Sequence, residues 1–263
     1  MKIQLIQLEA GPDKEENLRK VLEYIRQTDA ELVVFPEYLM GVNSEKLSKE
    51  YIHRLAEPLN GNFVSSIKDA SREKSVSVVF SAYLKERDKV YNTSILIEKG
   101  TVRGVYKKIH LFDAFGFNES SIFSPGDSLV VYRLGDFTVG LAVCFDIRFP
   151  EIFRAMAKRG TDLFIVPAAW YKGPYKVEQW KAILTSRAHE NTSFIVAVNQ
   201  TGKYFVGHSL VATPFGHILV DLGEGERSLT VTLEPSEVEE ARKTIPVLQL
   251  SKWDFYRRLY EED

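Results

Sequence analysis

Residues 140–151 read GLAVCFDIRFPE and place the single cysteine of the chain, Cys144, directly behind an apolar run. Such a run is typical of a buried strand, and Pro150 suits the first turn of a helix. Cys144 is therefore predicted to lie where a strand turns into a helix. The charged residues Asp146 and Arg148 follow at once, which a purely structural cysteine would not need.

A single cysteine excludes an internal disulfide framework and a multi-cysteine metal cluster within one chain. An isolated cysteine is commonly a small buried side chain, so its sequence neighbours must decide its role. The Phe145 amide is expected near the sulfur, and a helix amino end close by favours negative charge there. The segment therefore fits a nucleophile as well as a core position.

Short β-rich runs alternate with amphipathic segments along the whole chain, which indicates one α/β domain over residues 1–263. The loop 108–128 is rich in Gly, Asn, Ser and Pro, and a loop of this length inside a compact domain is usually functional. Strands are predicted over 1–8, 32–35, 76–84, 90–98, 102–107, 129–134, 137–143, 163–166, 194–198, 207–213, 218–222 and 229–233. Helices are predicted after residues 12 and 149, over 44–55, 63–74 and 175–190, and from residue 236.

Length and charge restrict the class of protein. A chain of 263 residues can bury a large core and a deep pocket. The formal net charge is -2 with both signs interspersed, so there is no basic stripe to follow a phosphate backbone, and nucleic acid is not an expected partner. No apolar run is long enough to cross a bilayer, and the first residues resemble a strand rather than a signal peptide. A cytoplasmic protein without membrane association is expected.

Two other catalytic patterns are incomplete. Residues 207–211, GHSLV, lack the second glycine that the serine nucleophile turn G-x-S-x-G requires. The five histidines form no H-E-x-x-H pair and have no carboxylate at metal-ligand spacing, so a bound metal is not expected. Nor does a thiol nucleophile with acid–base partners require a cofactor. No histidine is a convincing partner for the thiol either, which argues against a papain-like cysteine–histidine pair.

Glu37 follows the apolar run 32–35. The carboxyl ends of strands are where open α/β sheets hold their ligands. Beside apolar walls the pKa of this carboxyl group should rise, as a general base near neutral pH requires. Read by itself, the segment fits a salt-bridging or capping glutamate equally well.

Two adjacent lysines, Lys107 and Lys108, end a predicted strand. Because side chains alternate along a strand, the two must point to opposite faces, and one of them can face inward. An inward ammonium near a thiol would favour the thiolate and could later hold an oxyanion. A bare lysine pair is more commonly found on a solvated edge, so both readings stay open here.

Taken together, three segments resemble the nitrilase superfamily, also called the carbon–nitrogen hydrolases. They are FPEY at 35–38, YKKIHLFD at 106–113 and VCFDIRFPE at 143–151, and their order of glutamate, lysine and cysteine is similar to that family over essentially the whole chain. The resemblance implies a four-layer α-β-β-α sandwich. It also implies a homodimer or higher homo-oligomer, formed through the helix after the cysteine and a C-terminal tail, residues 244–263.

The resemblance assigns four catalytic side chains: the general base Glu37, the inward lysine Lys108, the nucleophile Cys144 and a second active-site glutamate, Glu119. The second glutamate lies in the segment FNESSIFSPGD at 117–127, which is similar to the family segment that carries it. Lys107 then faces outward. The backbone N–H of Phe145 is expected to share the oxyanion with the inward lysine.

Phe145 makes the cysteine segment most similar to the branch that contains omega-amidases and deaminated glutathione amidases, since nitrilases proper usually carry tryptophan there. The function implied is hydrolysis of a small carboxylic amide through a cysteine thioester, with release of ammonia. Within the family, an N-carbamoyl amine, an aliphatic amide or a nitrile remain alternative substrates. The reason is that the segment PAAWY at 167–171 departs from the sequence that is usual in that branch. The alternative outside the enzymes is a non-catalytic scaffold protein whose aromatic tail is its interaction surface.

An omega-amidase substrate carries an acid group, which favours a fixed cationic partner. Arg148 is the candidate, because it lies four residues after the cysteine and a guanidinium can bind a carboxylate through two parallel hydrogen bonds. The alternative is that Arg148 braces the turn by pairing with Asp146, Glu151 or a neighbouring carboxylate. Three aromatic residues are candidates either for lining the pocket or for filling the core: Tyr38, Trp170 and Tyr171.

Overall fold

The computed structural model describes residues 1–261, apart from the side chain at position 260. The strands are β1 (Lys2–Gln7), β2 (Leu32–Val34), β3 (Ser77–Glu86), β4 (Lys89–Glu98), β5 (Thr101–Lys107), β6 (Val131–Leu134), β7 (Phe137–Leu141), β8 (Leu163–Ala168), β9 (Phe194–Asn199), β10 (Leu210–Ala212), β11 (Ile218–Asp221) and β12 (Arg227–Thr232). The helices are α1 (Lys14–Gln27), α2 (Lys49–Leu55), α3 (Asn62–Lys74), α4 (Pro150–Lys158), α5 (Lys176–Asn191), α6 (Pro235–Thr244), α7 (Val247–Leu250) and α8 (Trp253–Glu261).

Within residues 1–261 the strands form two six-stranded sheets. The first has the order β12-β1-β2-β3-β4-β5 and the second the order β11-β10-β9-β8-β7-β6. Each sheet has a parallel centre, β1-β2-β3 in the first and β7-β8-β9 in the second. Antiparallel strands continue each sheet on both sides. The carboxyl ends of the parallel strands therefore lie together at one edge of each sheet, which is where the site is found.

The apolar residues of each sheet divide between its two faces. In β2, Leu32 and Val34 join the core that the first sheet shares with the second, whereas Val33 packs in the cluster that includes α1 and α3. Phe153 of α4 and Leu184 of α5 pack on the second sheet within the shared core. The order of layers is helices, sheet, sheet, helices, so the four-layer α-β-β-α sandwich expected from the sequence is confirmed.

One predicted helix is shorter than expected. The helix predicted over 44–55 begins only at Lys49. The Ser48 hydroxyl accepts a hydrogen bond from the Tyr51 N–H at 3.2 Å and so caps the first turn. The residues before Ser48 therefore lie outside the helix.

One predicted strand begins late. The strand predicted over 207–213 starts at Leu210. Gly207 and His208 have φ angles of 72° and 53°, outside the extended region that a strand requires. The near match to a serine nucleophile turn at this position is thus an irregular connection before a short strand.

The predicted tail 244–263 forms α7 and α8 on the surface, and its last two residues lie outside the described part of the chain. Across residues 1–261 no helix combines the length and the apolar character needed to span a bilayer.

Candidate active site

Cys144 lies in the connection between β7 and α4. β7 ends at Leu141, two residues before the end predicted from the sequence, and a 3₁₀ turn spans Cys144–Arg148. Cys144 is 7% exposed and its φ is 44°, in the left-handed region that is costly for a residue with a side chain. Such strain persists only where the surrounding structure holds it in place, and it clusters at functional sites.

Asp146 holds this turn. Its buried carboxylate accepts hydrogen bonds from the Val143 N–H at 3.0 Å and from the Tyr106 hydroxyl at 2.9 Å. It also accepts from the His110 N–H at 3.0 Å. Because Tyr106 and His110 flank Lys108 in the sequence, the cysteine turn is tied to the segment that carries this lysine.

Glu37 follows β2 and is wholly buried. Its Oε1 accepts from Lys108 Nζ at 2.9 Å and from Asn92 Nδ2 at 2.7 Å. Its Oε2 accepts from the N–H of Ala169, just past β8, at 2.8 Å. Both carboxylate oxygens therefore have partners, which makes an ionised form tolerable in a buried place.

The two adjacent lysines lie on opposite faces of the strand end. Lys108 is 1% exposed, and its ammonium lies 2.9 Å from Glu37 Oε1 and 2.8 Å from Glu119 Oε2. Lys107 is partly exposed and pairs at 2.6 Å with Glu86. The structure thus places Lys108 inward and Lys107 outward.

Glu119 lies in a single 3₁₀ turn within the long loop that follows β5. Its Oε1 accepts from the Tyr38 hydroxyl at 3.1 Å and from Asn92 Nδ2 at 3.0 Å. Its Oε2 accepts from the Phe112 N–H at 2.6 Å. With Lys108 between them, the two glutamates form one hydrogen-bonded cluster.

Asn92 was not predicted from the sequence. It lies in β4, and its Nδ2 donates to both Glu37 and Glu119. The available signal is an amide side chain in a strand whose neighbours are mostly buried, since a buried amide must find hydrogen-bond partners. Asn92 orients both carboxylates.

The pKa values of the thiol and of Glu37 are both shifted upward. Burial raises the pKa of the Cys144 thiol well above its ordinary value and the Glu37 carboxylate raises it further, whereas Lys108 lowers it. Burial also raises the pKa of Glu37, against the opposing charge of Lys108. Lys108 thus acts on the sulfur in the direction expected from the sequence, but burial outweighs it. Burial therefore favours the neutral thiol over the thiolate.

Lys108 stays charged. Burial by itself would lower its pKa, but Glu119 and Glu37 outweigh that effect and hold the pKa well above its ordinary value. A permanent ammonium beside the sulfur can stabilise negative charge that develops there.

A narrow pocket opens onto Cys144 and Lys108. Glu119 lines a wider neighbouring cavity instead, which shares Tyr38 and Tyr171 with the first. Five further predicted residues line the first pocket: Tyr38, Phe145, Arg148, Trp170 and Tyr171. Glu37 is wholly buried behind Lys108 and is not among the lining residues. The three aromatic residues therefore lie at the pocket as well as in the core.

Arg148 does not brace the turn in the way considered from the sequence. Its Nη2 donates to Gln179 at 2.8 Å, and its Cζ lies 4.7 Å from the centre of the Trp170 ring. Within the described residues it forms no salt bridge with Asp146 or Glu151, because the Asp146 carboxylate is already occupied by its own donors. The guanidinium is therefore available to the pocket.

Lys176 is a further pocket residue that sequence reasoning missed. It is the first residue of α5, is 8% exposed and lines the same pocket as the thiol. Its Nζ lies 3.5 Å from the centre of the Phe115 ring, and Trp170 Nε1 donates to its carbonyl at 2.9 Å. A lysine at a helix start carries no distinctive local signal, so only the fold could reveal it.

Among residues 1–261 no group of three or more histidine, cysteine, aspartate or glutamate side chains is placed to hold a metal ion. The chemical groups that the described site offers are a thiol, two carboxylates and an ammonium. They suit nucleophilic attack with acid–base catalysis.

Comparison with known proteins gives consistent results. Residues 2–243 match the family described as carbon-nitrogen hydrolase. A hydrolase of Mycobacterium tuberculosis is 35% identical over 273 residues, which covers 95% of each chain. The omega-amidase NIT3 of Saccharomyces cerevisiae is 30% identical over 97% of this chain and 94% of its own.

Among solved structures, a variant of the amidase from Nesterenkonia sp. AN1 is similar with a TM-score of 0.81 at 26% identity, covering 98% of this chain and 96% of that one. In that structure the acetamide moiety of fluoroacetamide is covalently added at the active-site cysteine. The fold and the matches over nearly the whole chain agree with the three sequence segments. The chain therefore belongs to the carbon–nitrogen hydrolases of the nitrilase superfamily, in their omega-amidase-like branch, and is an enzyme that hydrolyses carbon–nitrogen bonds.

Proposed function

We propose that this enzyme hydrolyses a small carboxylic amide through a thioester on Cys144 and releases ammonia. The observation that carries the proposal is a strained, buried thiol in the same pocket as an ammonium that two glutamates hold. The covalent adduct on the active-site cysteine of the Nesterenkonia amidase supports a cysteine nucleophile.

In the first half of the reaction Glu37 takes the thiol proton while the sulfur attacks the amide carbonyl. The raised pKa of Glu37 makes it a stronger base than an exposed glutamate. Lys108 and the Phe145 N–H stabilise the oxyanion of the tetrahedral intermediate. Within residues 1–261 the Phe145 N–H has no hydrogen-bond partner, since the first N–H groups of a helical turn have none inside it.

In the second half the tetrahedral intermediate collapses. Glu37 passes its proton to the leaving nitrogen, the carbon–nitrogen bond breaks, and ammonia leaves a thioester on Cys144. Glu37 then removes a proton from water as its oxygen attacks the thioester carbonyl, and the carbon–sulfur bond breaks when the second tetrahedral intermediate collapses. The carboxylic acid departs, and Glu37 returns its proton to the sulfur to restore the thiol. Glu119 keeps Lys108 in position throughout, through the contact at 2.8 Å.

We further propose that the amide carries a second acid group. Arg148 lines the pocket without an acidic partner in the described part of the chain, and a carboxylate of the substrate would supply one. The omega-amidase activity named for the yeast relative agrees with such a substrate.

The test is intact-protein mass spectrometry with a panel of small amides, N-carbamoyl amines and nitriles, together with ammonia assays. Wild-type protein should show an acyl adduct with acid-bearing amides, and Cys144→Ala should show none and lose about 10⁴-fold or more in turnover. Retained turnover in Cys144→Ala would contradict the nucleophile. A wild-type cysteine that no compound acylates would favour a non-catalytic scaffold.

A further inference from the structure

The mouth of the pocket holds a second cation besides Arg148. Lys176 Nζ lies 3.5 Å from the Phe115 ring centre and 5.6 Å from that of Trp170. The Arg148 guanidinium lies over the same two rings, at 5.8 Å and 4.7 Å. The two cations therefore face one small volume next to the thiol.

Neither cation meets a carboxylate in the part of the chain that the structure describes. Arg148 Nη2 is satisfied by the neutral amide of Gln179, and Arg148 Nε is buried without a hydrogen-bond partner. Lys176 is largely buried, and its described contacts are with aromatic rings. The described lining of the pocket thus holds three cations, Lys108, Arg148 and Lys176, and no carboxylate.

Two unpaired cations in one half-closed pocket are electrostatically unfavourable. Burial lowers the pKa of Lys176 and the neighbouring Arg148 lowers it further, while burial also lowers the pKa of Arg148. An anion placed between them would relieve both the desolvation and the mutual repulsion. Such an arrangement suits an acidic ligand better than a neutral one.

We propose that Lys176 Nζ is the second cation of a carboxylate subsite, so that the acid group of the substrate is held between Lys176 and Arg148 while its amide reaches Cys144. This inference rests on the proposed amidase function and extends it to a residue that selects acid-bearing substrates. Lys176 binds substrate and takes no part in bond making or breaking. The competing interpretation is a purely structural lysine that holds Phe115 by its cation–π contact.

The first test measures alkylation of Cys144 and therefore needs no turnover. Because Cys144 is the only cysteine of the chain, the alkyl label reports this site alone. The rate of its alkylation by iodoacetamide is followed by mass spectrometry, with succinate as the protecting anion and potassium chloride at equal ionic strength as its control. Succinate should protect wild type and Lys176→Arg, and Lys176→Met should need about tenfold more succinate for the same protection. Equal protection of wild type and Lys176→Met would overturn the proposal.

Lys172→Met is the matched control, because it removes the same charge from the exposed segment just before α5. It should be protected by succinate like wild type. Lys176→Gln is a second variant in case Lys176→Met unfolds, which thermal unfolding would reveal. Loss of protection in Lys172→Met as well would mean that net charge rather than the subsite is responsible, which would also overturn the proposal.

The second test compares initial rates on succinamate and succinamide, which differ only in a carboxylate against a carboxamide. In Lys176→Met the ratio of kcat/KM for the acid to that for the diamide should fall about tenfold, mainly through KM. An unchanged ratio with both rates reduced would point to the structural contact with Phe115. If wild type hydrolyses neither compound, the proposed function fails, whereas the alkylation test still decides the subsite.

Discussion

At the scale of single residues the site is a buried cluster of one cation and two anions. Removing charges from water costs several kcal/mol for each ion, and their attraction offsets this only where the remaining lone pairs find donors. Asn92 and two backbone N–H groups supply such donors to Glu37 and Glu119. The loss of Lys108 would leave two buried carboxylates without a counter-ion.

Lys108→Met should therefore lower kcat/KM by orders of magnitude and reduce the free energy of unfolding by about 3–5 kcal/mol. The matched control is Lys107→Met, whose partner Glu86 is exposed, and it should cost less than about 1 kcal/mol with near-normal activity. Urea unfolding and steady-state kinetics on both variants measure this. A damaging Lys107→Met beside a mild Lys108→Met would reverse the assignment of the two faces.

The pH dependence of kcat/KM should report the ionisation of Glu37. This residue works as a base only when ionised, and its pKa is raised above the ordinary 4.5, so kcat/KM should fall as the pH drops through a value above 4.5. The hydrogen bond from Asn92 lowers the pKa of Glu37, so Asn92→Ala should move this acid limb to higher pH. Asn60→Ala, at an exposed position, is the control and should leave the limb unchanged. A limb that moves to lower pH in Asn92→Ala would contradict the assignment of Glu37 as the base.

At the scale of secondary-structure elements the site is assembled from strand ends. Glu37 follows β2, Lys108 follows β5, and Cys144 follows β7 by three residues. The Ala169 N–H past β8 completes the partners of Glu37. Since these strands belong to two sheets, the site depends on how the sheets are held together. Asp146 ties the end of β5 to the segment after β7, as Glu37 ties the segment after β2 to the end of β8.

Asp146→Ala should reduce the free energy of unfolding by at least about 3 kcal/mol, because four donors lose their buried acceptor: the Tyr106 hydroxyl, the Val143 and His110 N–H groups and His110 Nδ1. It should also lower activity, since the strained φ of Cys144 would relax. Tyr106→Phe removes one of the same hydrogen bonds and should cost about 1 kcal/mol, which makes it the matched comparison. Chemical denaturation of both variants measures the difference, and equal costs would show that Asp146 does not hold the turn.

At the scale of the whole molecule the apolar surface near the C-terminus needs an explanation. α8 leaves Phe255 and Leu259 half exposed or more, and Lys158 of α4 lies 4.7 Å from the ring centre of Trp253. Through this contact α8 lies beside α4, and among the described residues Arg154 Nη1 of α4 is buried without a hydrogen-bond partner. We propose that two copies of the chain pair through this surface.

Leu259→Glu should then shift the protein from dimer to monomer, because a charge would be buried in the interface. Leu59→Glu is the control, since Leu59 is similarly exposed but lies just before α3, which packs on the first sheet. Size-exclusion chromatography with light scattering gives the masses. A wild-type monomer, or an unchanged dimer in Leu259→Glu, would contradict the pairing.

The sequence by itself determined the fold class and the three strand ends after which Glu37, Lys108 and Cys144 lie. Apolar alternation and turn residues are local properties, so they predicted most strands, the turn at Cys144 and the position of Glu37 after β2. The order of glutamate, lysine and cysteine identified the family. The alternation of side chains in β5 restricted the inward lysine to Lys107 or Lys108, and resemblance selected Lys108.

Only the tertiary structure decided which side chains meet. Asn92 lies 55 residues from Glu37 and Ala169 lies 132 residues from it, yet both bond to its carboxylate. Lys176 reaches the pocket only because α5 begins beside Trp170. Sequence patterns report how one segment alternates between apolar and polar faces, whereas these contacts depend on how two sheets pack, which fixes distances between segments that have no local relation to one another.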